Sequence, residues 1–167
     1  EFRRVLFRSW NSKNQNTLVA VEAKFEFKLG NAIVSGSIDR IELTGENQYY
    51  IVDLKTGATA ISKEKAIKNK QLQTYQLAVL KDAFKKKLKH QDVAGASLVF
   101  IGDLEAKEAA IRPQEKVKDE VVTQELINVA KEMSDKTFVA KINDRCRSCG
   151  VKTSCPIQPQ GQVVIGK

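Results

Sequence analysis

Apolar and polar positions alternate strictly over residues 19–29. Val21, Ala23, Phe25, Phe27 and Leu29 fall on one side, and Glu22, Lys24, Glu26 and Lys28 on the other. A period of two marks a half-buried strand, predicted here over 18–29. Gly30-Asn31 is a tight-turn signal, and a second strand, AIVSGSIDRIEL, follows over 32–43. Residues 44–48, TGENQ, turn again, and a third strand is predicted over 49–54. The first third of the chain therefore reads as a three-stranded meander.

After a loop at 56–60 the period becomes helical. Ser62 fits an N-cap, and the helix is predicted to run to about residue 88 with a break near Asn69. Leu72, Tyr75, Val79, Leu80, Ala83, Phe84 and Leu88 share one stripe, opposite a lysine-rich face. Residues 94–102, AGASLVFIG, form the short apolar run of a strand covered on both faces. Residues 106–112 are predicted to pair back as an edge strand, and 119–133 to form an amphipathic helix. The helical segment between strands three and four is long enough for a crossover, so those strands should run parallel. The expected class is α/β, a mixed sheet flanked by helices.

Composition narrows this picture. A chain of 167 residues, 42% hydrophobic and 29% charged, suits one packed domain with a small appendage. No apolar run approaches the roughly 18 residues of a membrane span, so no membrane partner is expected. The net charge of +8 favours a polyanionic partner. Residues 1–9, EFRRVLFRS, show no periodicity and look like translated vector or adapter sequence. They are expected to be a foreign leader outside the fold, and Trp10 beside them is given no role. The core is then placed at 10–140 and a cysteine-rich C-terminal tail at 141–167. Three cysteines crowd into 146–155 and none lies elsewhere. That is no disulfide framework; it points to the cytosol and to a metal or cluster ligand set.

The candidate chemistry centres on IVDLKTG at 51–57. Side chains at i and i+2 of a strand share a face, so Asp53 and Lys55 point together and Leu54 points into the sheet. Asp39 and Asp53 are each seven residues from Glu46 at the hairpin centre, so the two carboxylates should come side by side. Like charges on one face repel unless a cation lies between them. Mg²⁺ suits two carboxylates completed by waters and a phosphate. Lys55 could orient or deprotonate an attacking water and stabilise phosphate charge. The plainer alternative is a surface Asp53–Lys55 pair, with Asp39 in a local contact to Arg40. Gln71 and Tyr75, four apart, share a helix face. They could hold a phosphate backbone or a metal-bound water, or be merely exposed (Gln71) and part of the apolar stripe (Tyr75).

Taken together, GSIDR, IVDLKTG and QLQTY resemble the RecB-type branch of the PD-(D/E)xK nucleases, with its G-x-x-D, (D/E)-x-K and Q-x-x-x-Y motifs in that order. Here these run from Gly36 to Asp39, from Asp53 to Lys55 and from Gln71 to Tyr75. The resemblance implies a restriction-endonuclease-like fold and cleavage of DNA with Mg²⁺ or Mn²⁺. It assigns Asp39, Asp53 and the Leu54 carbonyl to the metal, Lys55 to the water, and Gln71 and Tyr75 to organising the site and the strand. The tail pattern Cys146-x2-Cys149-x5-Cys155-Pro156 looks like the last three ligands of the [4Fe–4S] cluster in AddB-type and CRISPR-associated exonucleases. The fourth cysteine of those proteins lies upstream of the core, and this sequence has none. Zinc is the rival, but it too wants four ligands, and His90 is expected to be exposed.

The tail wording is similar to the nuclease ends of actinobacterial AdnAB-type helicase–nucleases. That implies an exonuclease domain of an ATP-dependent helicase–nuclease acting in double-strand break repair and recombination in the bacterial cytoplasm, at the nucleoid. Its implied partners are DNA, a helicase motor in the same parent chain and a second helicase–nuclease subunit. The family also places a His or Glu on a helix before the meander, often as a third metal ligand. This sequence is expected to start too late to hold it, and Glu22, on a solvent-facing side, is a poor substitute. The resulting expectation is a C-terminal piece with an incomplete metal shell and weak or absent activity. The competing reading is a nuclease-like domain that only clamps DNA, with a metal-stabilised tail. The run KKKLK at 85–89 reads as a solvated helix face.

Overall fold

A computed structural model describes residues 2–84, 88–135 and 139–159. One mixed sheet holds five strands in the order β1 (Thr17–Leu29), β2 (Ala32–Leu43), β3 (Tyr49–Lys55), β4 (Val93–Phe100) and β5 (Ala110–Glu115). Its helices are α1 (Phe2–Lys13), α2 (Lys63–Ile67), α3 (Lys70–Leu80) and α4 (Asp119–Ser134). The chain divides into two compact units, Glu1–Asn128 and Val129–Lys167. No described helix is long and apolar enough to cross a membrane.

The meander forms as its alternation dictates, with β1–β2 and β2–β3 antiparallel. Gly30 turns the first hairpin at φ +59°, a conformation that costs glycine little. β4 returns parallel to β3 after the α2–α3 crossover. The edge strand starts later than predicted, at Ala110 instead of 106. Glu105 N–H donates to Asp103 Oδ1 at 3.0 Å, so a side-chain-closed turn occupies part of the connection. Pro113 is tolerated there because an edge strand can spare a donor.

The long predicted helix is two helices, each with its own cap. Ser62 Oγ accepts from Lys65 N–H at 3.3 Å, and Asn69 Oδ1 from Leu72 N–H at 2.9 Å. α3 ends at Leu80, short of the predicted 88. Asp82 takes φ +52°, its N–H bonds Val79 O at 3.1 Å, and Ala83 N–H bonds Ala78 O at 3.0 Å. That double closure is a Schellman stop, made here by aspartate in place of the usual glycine. Of the KKKLK run, Lys85–Lys87 lie outside the described residues; Leu88 is buried and Lys89 exposed.

The two faces of the sheet carry separate cores. Phe25, Phe27, Ile38, Ile51 and Leu98 pack with Leu72, Leu77, Val79 and Phe84 on the α3 side. Val52, Val99 and Ile101 pack with Leu6 on the other, joined by Phe7, Trp10, Tyr50 and Leu54. Residues 2–9, set aside in the sequence reading, are thus helical, and Leu6 is 3% exposed. Leu6 and Trp10 stand one helical turn apart, a periodic signal too brief to stand out. Trp10 also gains a role: its ring lies 5.5 Å from the Arg40 guanidinium.

Candidate active site

The β2–β3 ladder runs from Leu43/Tyr49 to Arg40/Val52. Asp39 and Asp53 are the next positions outward, the juxtaposition predicted from the hairpin centre. Here Leu54 N–H donates to Asp39 Oδ2 at 2.8 Å, so a side chain takes a donor that a strand carbonyl would normally satisfy. β3 meanwhile stays paired with β4 as far as Lys55/Phe100. Asp39 therefore reaches across to the β3 backbone at the end of the ladder. The suggested local contact from Asp39 to Arg40 does not form. Arg40 pairs with buried Glu42, which also accepts from Asn14 at 2.6 Å and Asn16 at 3.2 Å.

Alternation puts Asp53 and Lys55 on the α3 side and Leu54 in the α1-side cluster. Asp53 is 2% exposed. Lys55 Nζ lies 2.7 Å from Asp53 Oδ2, a charge-assisted ion pair. Burial pushes the Asp53 carboxyl up, Lys55 opposes the shift, and the Asp39 charge adds to it.

Lys55 Nζ also donates to Gln71 Oε1 at 2.9 Å, and Gln71 Nε2 donates to Tyr75 Oη at 2.8 Å. Gln71 and Tyr75 thus belong to the same constellation as Asp53 and Lys55, as the motif order suggested. Burial raises the Tyr75 phenol; Gln71 opposes this, and the charges of Asp53 and Asp39 reinforce it.

Two buried glutamines escaped the sequence reading. Gln114 Nε2 donates to the carbonyls of Ala66, Ile67 and Asn69 at 2.9, 2.9 and 3.2 Å. Gln76 Nε2 donates to Gln114 Oε1 at 3.0 Å and to Glu115 O at 3.1 Å. Together they clamp the α2–α3 junction, and hence the first turn of α3 that carries Gln71, to β5. The one available signal was a glutamine inside an otherwise apolar strip.

Among the described residues, no three or more His, Cys, Asp and Glu side chains gather closely enough to hold a metal ion. Asp39 and Asp53 therefore stand as a pair without a third such side chain among the described residues. α1, the helix ahead of the meander, carries neither acid nor histidine. Glu22 is exposed and accepts from Ser37 Oγ at 3.4 Å. The pair still fits a hard divalent cation: two carboxylates stand side by side just past the end of the ladder, one of them buried, and Mg²⁺ commonly keeps several waters beside one or two carboxylates. Cys146, Cys149 and Cys155 are free thiols, one short of the four a cluster usually takes, and are not gathered into one ligand group. Cys146 Sγ accepts from Asn143 N–H at 3.3 Å. His90 is half-buried, not exposed as expected, and stacks on Tyr49 at 4.4 Å.

Residues 1–156 match the family model described as the PD-(D/E)XK nuclease superfamily. No curated protein matches the chain. The solved structure titled "Crystal structure of SSO0001" aligns at 15% identity over 93% of this chain and 68% of that one, with a TM-score of 0.45, too loose a likeness to bear on function.

Proposed function

The chain belongs to the PD-(D/E)XK nuclease superfamily, and on that premise we propose that it is a Mg²⁺- or Mn²⁺-dependent DNA phosphodiesterase with its active site at Asp39, Asp53 and Lys55. The observation that carries this reading is the buried Asp53 carboxylate, ion-paired to Lys55 and set beside Asp39 just past the end of the β2–β3 ladder. A carboxylate in that state is held ready for a cation at a cost in folding stability.

Asp39 and Asp53 would hold the cation, with the Leu54 carbonyl as a third oxygen. When bound, the cation supplies positive charge to the scissile phosphate and acidifies the attacking water. Lys55 directs its ammonium at the water or the phosphate oxygens. Gln71 fixes the Lys55 Nζ position, and Tyr75 fixes Gln71. Contacts of this kind meet the DNA backbone, so cleavage should ignore base sequence.

The finer reading is an exonuclease domain of a bacterial helicase–nuclease in double-strand break repair, working with a helicase motor and a second subunit. Its support is the motif order and the cysteine spacing. Cys146, Cys149 and Cys155 would serve as three thiolate ligands of an iron–sulfur cluster. Linear duplex should be degraded in Mg²⁺ while covalently closed circular duplex survives; equal loss of both would refute the exonuclease reading. Iron and acid-labile sulfide in anaerobically purified protein should accompany the tail, and stoichiometric zinc without iron would refute the cluster.

A further inference from the structure

We propose that Gly36 is a positioning residue for the reaction, placing Tyr75 by way of Phe25. Gly36 opens the G-x-x-D stretch on β2 and stands directly across from Phe25 on β1. A Cβ at Gly36 would lie 2.9 Å from both Cε1 and Cζ of Phe25. Real Cβ atoms do not come that close, so the missing side chain is what lets the ring lie across β2. A glycine inside a strand weakens it and often marks such a close approach.

The ring has a second neighbour that matters. Phe25 meets Tyr75 edge-on, with centroids 5.8 Å apart and planes at 78°. Tyr75 Oη accepts from Gln71, and Gln71 accepts from Lys55. Gly36 is thereby linked to the Lys55 ammonium by four consecutive contacts.

A methyl group at Gly36 has to be accommodated by Phe25, because the two backbones are held in a continuous ladder. The ring borders a cavity also lined by Gly36, Ala83 and Phe84, which takes up part of the displacement. Phe84 sits 5.9 Å away and Phe27 6.2 Å away, so part of the displacement passes to Tyr75. Packed interiors transmit strain in this way.

The effect on turnover rests on the nuclease reading of the site; the contact does not. The test therefore uses two readouts on the full chain. In protein labelled with 3-fluorotyrosine, the ¹⁹F resonance that disappears in Tyr75→Phe should shift in Gly36→Ala, while those of Tyr49 and Tyr50 stay in place. In Mg²⁺-dependent DNA digestion, Gly36→Ala should lower kcat about 10- to 100-fold with KM nearly unchanged, as a misplaced catalytic group does. Removing the ring should remove the penalty, so Phe25→Leu combined with Gly36→Ala should be no slower than Phe25→Leu alone. An unmoved Tyr75 resonance, or losses that multiply in the double variant, would overturn the proposal. A shifted resonance in a chain whose wild type never digests DNA would count against the nuclease reading and leave the contact standing.

Discussion

Lys55 Nζ stands 2.7 Å from Asp53 Oδ2, an ion pair on a carboxylate that is only 2% exposed. The arrangement leaves the carboxylate costly to ionise, and this has a measurable consequence. Burial raises the Asp53 carboxyl above its ordinary range, with Lys55 only partly opposing. As pH rises past that range, the unfolded chain releases this proton first. Stability therefore falls until Asp53 has ionised in the folded state as well. Asp53→Asn removes the loss. In Mg²⁺-free buffer at pH 7 the variant should be more stable by about 1 kcal/mol, a usual gain from relieving a functional site. Thermal melts should show the advantage shrinking as pH falls below the ordinary carboxylate value of about 3.9, where wild-type Asp53 becomes protonated in both states.

The same shift sets the acid limb of activity. A protonated Asp53 cannot serve as an anionic ligand, so digestion should fail as pH falls through the raised value. The fall should come at higher pH than an ordinary carboxylate of about 3.9 would give. The check is a pH–rate profile at Mg²⁺ well below saturation, where the metal-free site sets the limb, and an acid limb in the ordinary range would contradict the raised carboxyl.

Gln114 holds the α2–α3 junction from β5. Gln114→Leu leaves Ile67 O without that donor and Gln76 without one of its acceptors. The expected cost is about 1–3 kcal/mol, read from urea unfolding. Gln114→Glu should be no better, because its second oxygen would face the carbonyls of Ala66, Ile67 and Asn69.

Gly102 follows β4 where the chain passes the loop after Lys55. A Cβ there would lie 2.0 Å from Thr56 O and 2.7 Å from Gly57 O, both backbone atoms that cannot swing aside. Gly102→Ala should cost about 1–3 kcal/mol as overpacking does. It should also slow digestion more than Gly45→Ala, whose Cβ meets nothing within 4 Å.

The meander was legible because its signal is local: a period of two, a short turn, and a hairpin centre from which the Asp39–Asp53 juxtaposition could be counted. The stop of α3 was not, because aspartate at 82 is an uncommon choice for the left-handed closure. α1 was missed because its buried face amounts to Leu6, Phe7 and Trp10 over little more than one turn. The Gln76–Gln114 clamp joins residues 38 apart in sequence and carries no local pattern. The site lay between these extremes. Its residues could be named from their motifs, but the Lys55–Gln71–Tyr75 connection appears only when α3 is laid against β3.

In the proposed reaction Asp53 and Lys55 carry the cleavage of DNA. The most direct measurement is the rate of linear duplex digestion in Mg²⁺ by the full chain, compared with Asp53→Ala and Lys55→Ala. Each variant should lose about 100-fold or more in rate while still binding the same duplex. Digestion at the wild-type rate in both variants would contradict the site.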